Sequence, residues 1–152
     1  MAVGHSKVNV HQAGKDHVLR RLSRLGLPAS LAPRGEAAHV QVLSPNKRVI
    51  AQLLVSARTD RAKGGWVMNE KHEHLSRPRC FYALVDFEPR EPVTYIVPSA
   101  VVSDWLKNDH ARWLKEDPNH QDNPVRKLVG GRWLDPYREA WSLIQEGTGV
   151  SV

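Results

Sequence analysis

The run CFYALVDF, residues 80–87, constrains the fold more than any other part of this chain. Alternate side chains of a β-strand point to opposite sides, so a nearly continuous apolar run of this length has the pattern of a strand buried on both faces. A second apolar run, RVIAQLLVSAR (48–58), sets Ile50, Gln52 and Leu54 on one side and Val49, Ala51, Leu53 and Val55 on the other. One side is wholly apolar and the other carries a lone glutamine. Before it lies AHVQVLS (38–44), and SPNK, with Pro and Asn at its centre, joins the two as a turn. This pattern predicts a β-hairpin.

The remaining elements follow from periodicity and punctuation. Between His11 and Leu25 the apolar residues Val18, Leu19, Leu22 and Leu25 recur at helical spacing, and Gly26 and Pro28 end the helix. LPASLA (27–32) reads as a short extended segment, TDRAKGG (59–65) as a flexible loop, and Asn69–Leu75 as a short helix within a mixed stretch. VTYIV (93–97) is a strand, and Pro98 opens a helix whose buried stripe is Val101, Val102, Trp105, Leu106, Trp113 and Leu114. Residues 118–133 are polar and rich in Gly and Pro, hence a loop. DPYREAWSLI (135–144) predicts a last helix with Asp135 as its N-cap and Pro136 just inside. The order α-β-β-β-(α)-β-β-α-α defines an α/β (α+β) chain with one mixed sheet. Residues 1–152 suit a single domain, with 1–9 and 146–152 expected as flexible termini.

Composition narrows the function classes. No apolar run is long enough to cross a membrane, and the opening MAVGHSKVNVHQ lacks the order of a secretory signal, so a cytoplasmic location is expected. A single cysteine, Cys80, excludes an internal disulfide framework and a cysteine-based zinc site, and its apolar surroundings predict a buried structural thiol. The formal net charge is +6, with 22 Lys+Arg against 16 Asp+Glu. The basic residues cluster as RRLSR, NKR, ARTDRAK and RPR, all within the first 80 residues. Such clustering favours polyanionic partners, DNA or RNA, with Arg58, Arg61, Lys63, Arg77 and Arg79 as candidate phosphate contacts; ordinary solvated surface is the alternative.

Other candidates carry weaker signals. HEH (72–74), with His110 and His120, has no metal-ligand spacing and reads as surface histidine. Ser99 lacks a nucleophile elbow and reads as a cap or turn residue. Of five tryptophans, 105, 113 and 141 fall on helical faces, whereas Trp66 and Trp133 each follow closely on a Gly-Gly pair and either pack under a loop or stack on a base.

The order of these pieces resembles the small bacterial domains of the PD-(D/E)XK, restriction-endonuclease-like nuclease superfamily. The matching segments are AGKDHVLRRL (13–22), HVQVL (39–43), AQLLVSAR (51–58), GGWVMNEKHE (64–73), FYALVDF (81–87), YIVPSAVV (95–102) and HARWL (110–114). The resemblance implies a central mixed sheet flanked by helices. It also implies a site in which a hairpin acid, an acid or glutamine on the next strand, and a lysine two residues later converge on Mg²⁺. Residues i and i+2 of a strand share a face, and the metal lowers the pKa of the attacking water.

Carried over, the hairpin acid falls on Gln41, or on His39 if the register slips by two. The strand glutamine is Gln52, and the lysine position is Leu54. Two neutral amides bring no charge to a hard cation, so the resemblance implies a degenerate site, no metal and no cofactor. Mg²⁺ enters only if catalytic acids have migrated, for which Asp16, Asp60 and Glu70 are the candidates. The expected function is therefore a catalytically impaired nuclease fold that binds nucleic acid or a partner in a nucleic-acid process. The alternatives are an active Mg²⁺-dependent endonuclease and a homo-oligomeric subunit, such as a homodimer, with no nucleic-acid role.

Overall fold

The computed structural model describes residues 7–59 and 65–146. Helix α1 spans Lys7–Arg24 and is followed by strands β1 (Ala29–Leu31), β2 (Val40–Leu43) and β3 (Val49–Arg58). Strand β4 (Gly65–Asn69) runs into a 3-10 helix, Glu70–His74, and then come β5 (Cys80–Asp86), β6 (Val93–Pro98) and helix α2 (Ser99–Glu116). The chain closes with β7 (Val125–Val129), a second 3-10 helix (Arg132–Tyr137) and the short helix α3 (Ser142–Gln145).

Five strands form one mixed sheet in the order β1-β2-β3-β5-β6. Only the β3–β5 pair is parallel; β1–β2, β2–β3 and β5–β6 are antiparallel. The expected hairpin is the β2–β3 pair, with a register shift at Val42/Leu43 and Lys47 at φ 66° in its turn. Every residue of β5 is buried, and its alternation divides the core in two. Phe81, Ala83 and Val85 join Ala51, Leu53 and Val55 under Val18 and Leu22 of α1. Tyr82 and Leu84 join Leu54 under Val102 and Leu106 of α2, with Trp66, Met68 and Leu128 completing that layer. Helix α1 approaches β3 so closely at Gly14 that a Cβ there would stand 2.9 Å from the Ala57 Cβ.

Two strands depart from the sequence expectation. β4 and β7, read as mixed and loop segments, pair antiparallel as a separate two-stranded ribbon, with Trp66 opposite Leu128 and Met68 opposite Arg126. Their pairing spans some sixty residues of chain, and β7 inverts the usual pattern. Arg126 is buried and bonded to Glu73 at 2.5 Å, whereas Val125 and Val129 face out. Asp135 is not the N-cap of a last α-helix. It lies inside the second 3-10 helix with Pro136, and Gly131 holds the cap position. At the chain ends, residues 7–9 continue α1 and Glu146 closes α3; the rest of the expected flexible termini lies outside the described residues.

Candidate functional site

Gln41 and Gln52 stand directly opposite each other in the β2–β3 ladder, so their half-buried side chains share the face that also carries Leu54. That face is where the resemblance implied by the sequence would place a metal set. Two amide carbonyls offer oxygen without charge, and Leu54, 4% exposed, is packed into the apolar layer with Tyr82 and Met68. The residues at these positions do not fit Mg²⁺. Among the described residues, no group of three or more His, Cys, Asp or Glu is arranged to hold a metal ion.

His39, the alternative hairpin position, has a structural task. The backbone N–H of Val55 donates to its Nδ1 at 2.8 Å, just beyond the last β2–β3 pair at Val40 and Leu53. The ring thus extends the ladder by one bond ahead of the start of β2. An Nδ1 that accepts an N–H carries no proton, so the neutral ring holds its proton on Nε2. Burial, and after it Lys15, depresses the His39 pKa below the ordinary histidine value. His72 is fixed in the same way. Its Nδ1 accepts from the Asn69 N–H at 3.0 Å within a capping box of the first 3-10 helix, and burial followed by Lys71 depresses its pKa.

Both rings line a pocket of about 430 Å³ beside Leu54, together with Lys15, Lys71 and Tyr82. Glu36 is the one carboxylate among the described residues that line it. Tyr82 pairs in register with Leu54 across the parallel β3–β5 ladder and lies edge-on to the His72 ring at 6.0 Å. Its hydroxyl is buried and, among the described residues, meets no hydrogen-bond partner. Burial raises its pKa far above the ordinary phenol value. Sequence reading missed Lys15, Glu36 and Tyr82, because they come from three distant elements and Tyr82 looks like one more apolar residue of β5.

Of the candidate migrated acids, the two that are described, Asp16 and Glu70, are not among the residues that line this pocket. Asp16 is exposed on α1 and accepts from the Gln12 amide at 3.0 Å. Glu70 is exposed and lines a shallow hollow with Pro124 and Val125. Asp60 lies outside the described residues, as do Arg61 and Lys63. The other basic candidates divide. Arg58 pairs with Asp86 at 3.1 Å and lies 3.9 Å over the Trp66 ring. Arg79, at φ 57°, donates to the carbonyls of Ile50, Leu143, Ile144 and Glu146, tying the end of α3 to β3. Arg77 is exposed, with its backbone N–H bonded to Ser99 Oγ at 3.0 Å.

The remaining sequence candidates have packing roles. Ser99 Oγ also donates to the Arg77 carbonyl, pinning the start of α2. Cys80 is buried, and burial raises its thiol pKa. Trp66 is buried and donates its indole N–H to the Val85 carbonyl at 3.2 Å, and Trp133 stacks on Trp105 and donates to Val129 at 2.9 Å.

Sheet order and helical layers define a mixed α+β fold with the pocket beside β3. The structure is similar to that of a bacterial homing endonuclease, I-Ssp6803I, with a TM-score of 0.55 and 15% sequence identity over 93% of this chain and 94% of that chain. No protein-family model matches the sequence, and no curated protein matches it. Among the described residues, no helix is long and apolar enough to cross a membrane.

Proposed function

We propose that this chain is a PD-(D/E)XK-type nuclease fold that has lost its catalytic constellation and acts in the cytoplasm by binding nucleic acid. The observation that carries the reading is Leu54, buried in an apolar layer where the fold's chemistry calls for a lysine, two residues from an uncharged Gln41–Gln52 pair. The net charge of +6 and the structural likeness to a homing endonuclease support a polyanionic partner. Contacts of Arg77, Arg61 and Lys63 with phosphates would hold a strand without reading its sequence.

Two measurements on the full chain test this. Mobility-shift titrations of DNA and RNA at low and high salt should show binding that weakens as salt rises; no binding to any form removes the nucleic-acid role. Incubation with the same substrates and Mg²⁺ or Mn²⁺ should give no cleavage. Cleavage that vanishes in Glu70→Ala or Asp60→Ala, with the fold intact, establishes the migrated-site enzyme instead. A second reading, a homodimeric subunit, draws on the outer face of the β4–β7 ribbon. There Val67, Val125 and Val129 are 77%, 65% and 43% exposed around an exposed Lys127, a face that a second copy could cover. Light scattering coupled to size exclusion should give twice the chain mass if that face pairs, and the single mass if it does not.

A further inference from the structure

We infer that the pocket beside Leu54 binds a phosphate group directly, without a metal ion, through the N–H and O–H donors of Lys15, His39, His72 and Tyr82. This rests on the nucleic-acid reading for its class of ligand and goes beyond it by naming the groups that would hold the ligand.

The donors are fixed by what lies behind them. His39 and His72 each accept a backbone N–H at Nδ1, so each neutral ring keeps its proton on Nε2 and has only a donor left to offer. A ring held this way cannot take a proton at Nε2, which argues for binding over general-base chemistry. The Tyr82 hydroxyl is the independent sign of a ligand. The residue is 1% exposed and lines the pocket, yet its hydroxyl has no partner among the described residues. A buried hydroxyl left unmet costs stability, and such groups are rare in folded proteins. Charge has the matching sign. Among the described residues Lys15 and Lys71 have no carboxylate partner, and Glu36 is the one carboxylate that opposes them in the lining.

An oxyanion is therefore the complementary ligand, because it accepts several hydrogen bonds and donates none. The volume, about 430 Å³, exceeds that of a bare phosphate, and the apolar wall at Leu54 and Met68 suits the remainder of a nucleotide. Where a nuclease of this fold would reach its phosphate through Mg²⁺, this chain offers donors in place of carboxylates. The phosphate could belong to a free nucleotide or to a strand.

The test is titration of the full chain, with EDTA present, by calorimetry. The ligands are inorganic phosphate, adenosine and uridine, their 5′-monophosphates, and short single-stranded and duplex oligonucleotides. The monophosphates should bind at least about tenfold more tightly than the nucleosides. Tyr82→Phe and Lys15→Ala should each weaken phosphate-bearing ligands by about tenfold, the effect of one hydrogen bond to a charged group. Tyr82→Phe should melt no lower than the wild type, which separates the loss from unfolding. Sensitivity to both variants for oligonucleotides alone supports the inference with a strand as the source. Oligonucleotide binding that neither variant changes overturns it while leaving the nucleic-acid reading intact. Variant-sensitive monophosphate binding without any oligonucleotide binding does the reverse. Binding that appears only when Mg²⁺ replaces EDTA overturns the metal-free site.

Discussion

On the proposed nuclease-fold reading, Leu54, 4% exposed, occupies the strand position where the chemistry needs an amine, and its packing with Tyr82 and Met68 makes that amine hard to restore. Leu54→Lys should lower stability by about 3 kcal/mol in urea unfolding, from lost packing and a desolvated charge. Leu54→Met should cost less than about 1.5 kcal/mol. Tyr82→Phe should leave stability unchanged or raise it, because the hydroxyl removed has no partner among the described residues. The histidines give a pH signature. His39 and His72, depressed first by burial, stay neutral in the fold below the ordinary value of 6.5. In the window from pH 6.5 down to their folded pKa values, the unfolded chain binds more protons than the native one, so stability falls as pH falls. Unfolding curves between pH 8 and 5 should show that slope, and the double variant His39→Gln, His72→Gln should flatten it, leaving the contribution of His17, which burial also depresses. At this scale the shared strand face of Gln52 and Leu54 was legible from their i, i+2 spacing. The roles of His39 and Tyr82 were not, because a backbone bond to a ring nitrogen and an unmet hydroxyl depend on neighbours that no local pattern specifies.

Among the elements, the long apolar runs were legible and the two strands of the β4–β7 ribbon were not. The apolar runs of β3 and β5 and the helical stripe of α2 gave their positions directly. Strand β7 hid because it turns Arg126 inward to Glu73 while its valines face out. That pair ties the first 3-10 helix to the ribbon. Arg126→Met should therefore destabilise by about 3–5 kcal/mol, since Glu73 would be left as a buried, unpaired carboxylate; thermal unfolding at pH 7 measures this. The contact between α1 and β3 gives a second check. Gly14→Ala would gain about 1 kcal/mol of helix propensity, but the new Cβ meets Ala57 at 2.9 Å and Val55 at 3.4 Å. Crowding of that kind costs about 1–3 kcal/mol, so the variant should melt below the wild type.

For the whole molecule, a sheet covered on both faces places Gln41, Gln52 and Leu54 on one side, beside a pocket lined by imidazoles, lysines and a phenol. The doubly buried strand of residues 80–87 made this layering legible, and the charge of +6 made an anionic partner plausible. The pocket's contents were illegible because α1, the segment before β2, the first 3-10 helix and β5 meet there only in three dimensions. A fold kept while its metal chemistry is lost can be tested without knowing any substrate. Mn²⁺ added to the isotope-labelled chain broadens the amide resonances nearest to where it binds. The proposed loss of the catalytic set predicts no selective broadening at Gln41, Gln52 and Leu54. Saturable broadening centred on Gln52 would contradict it.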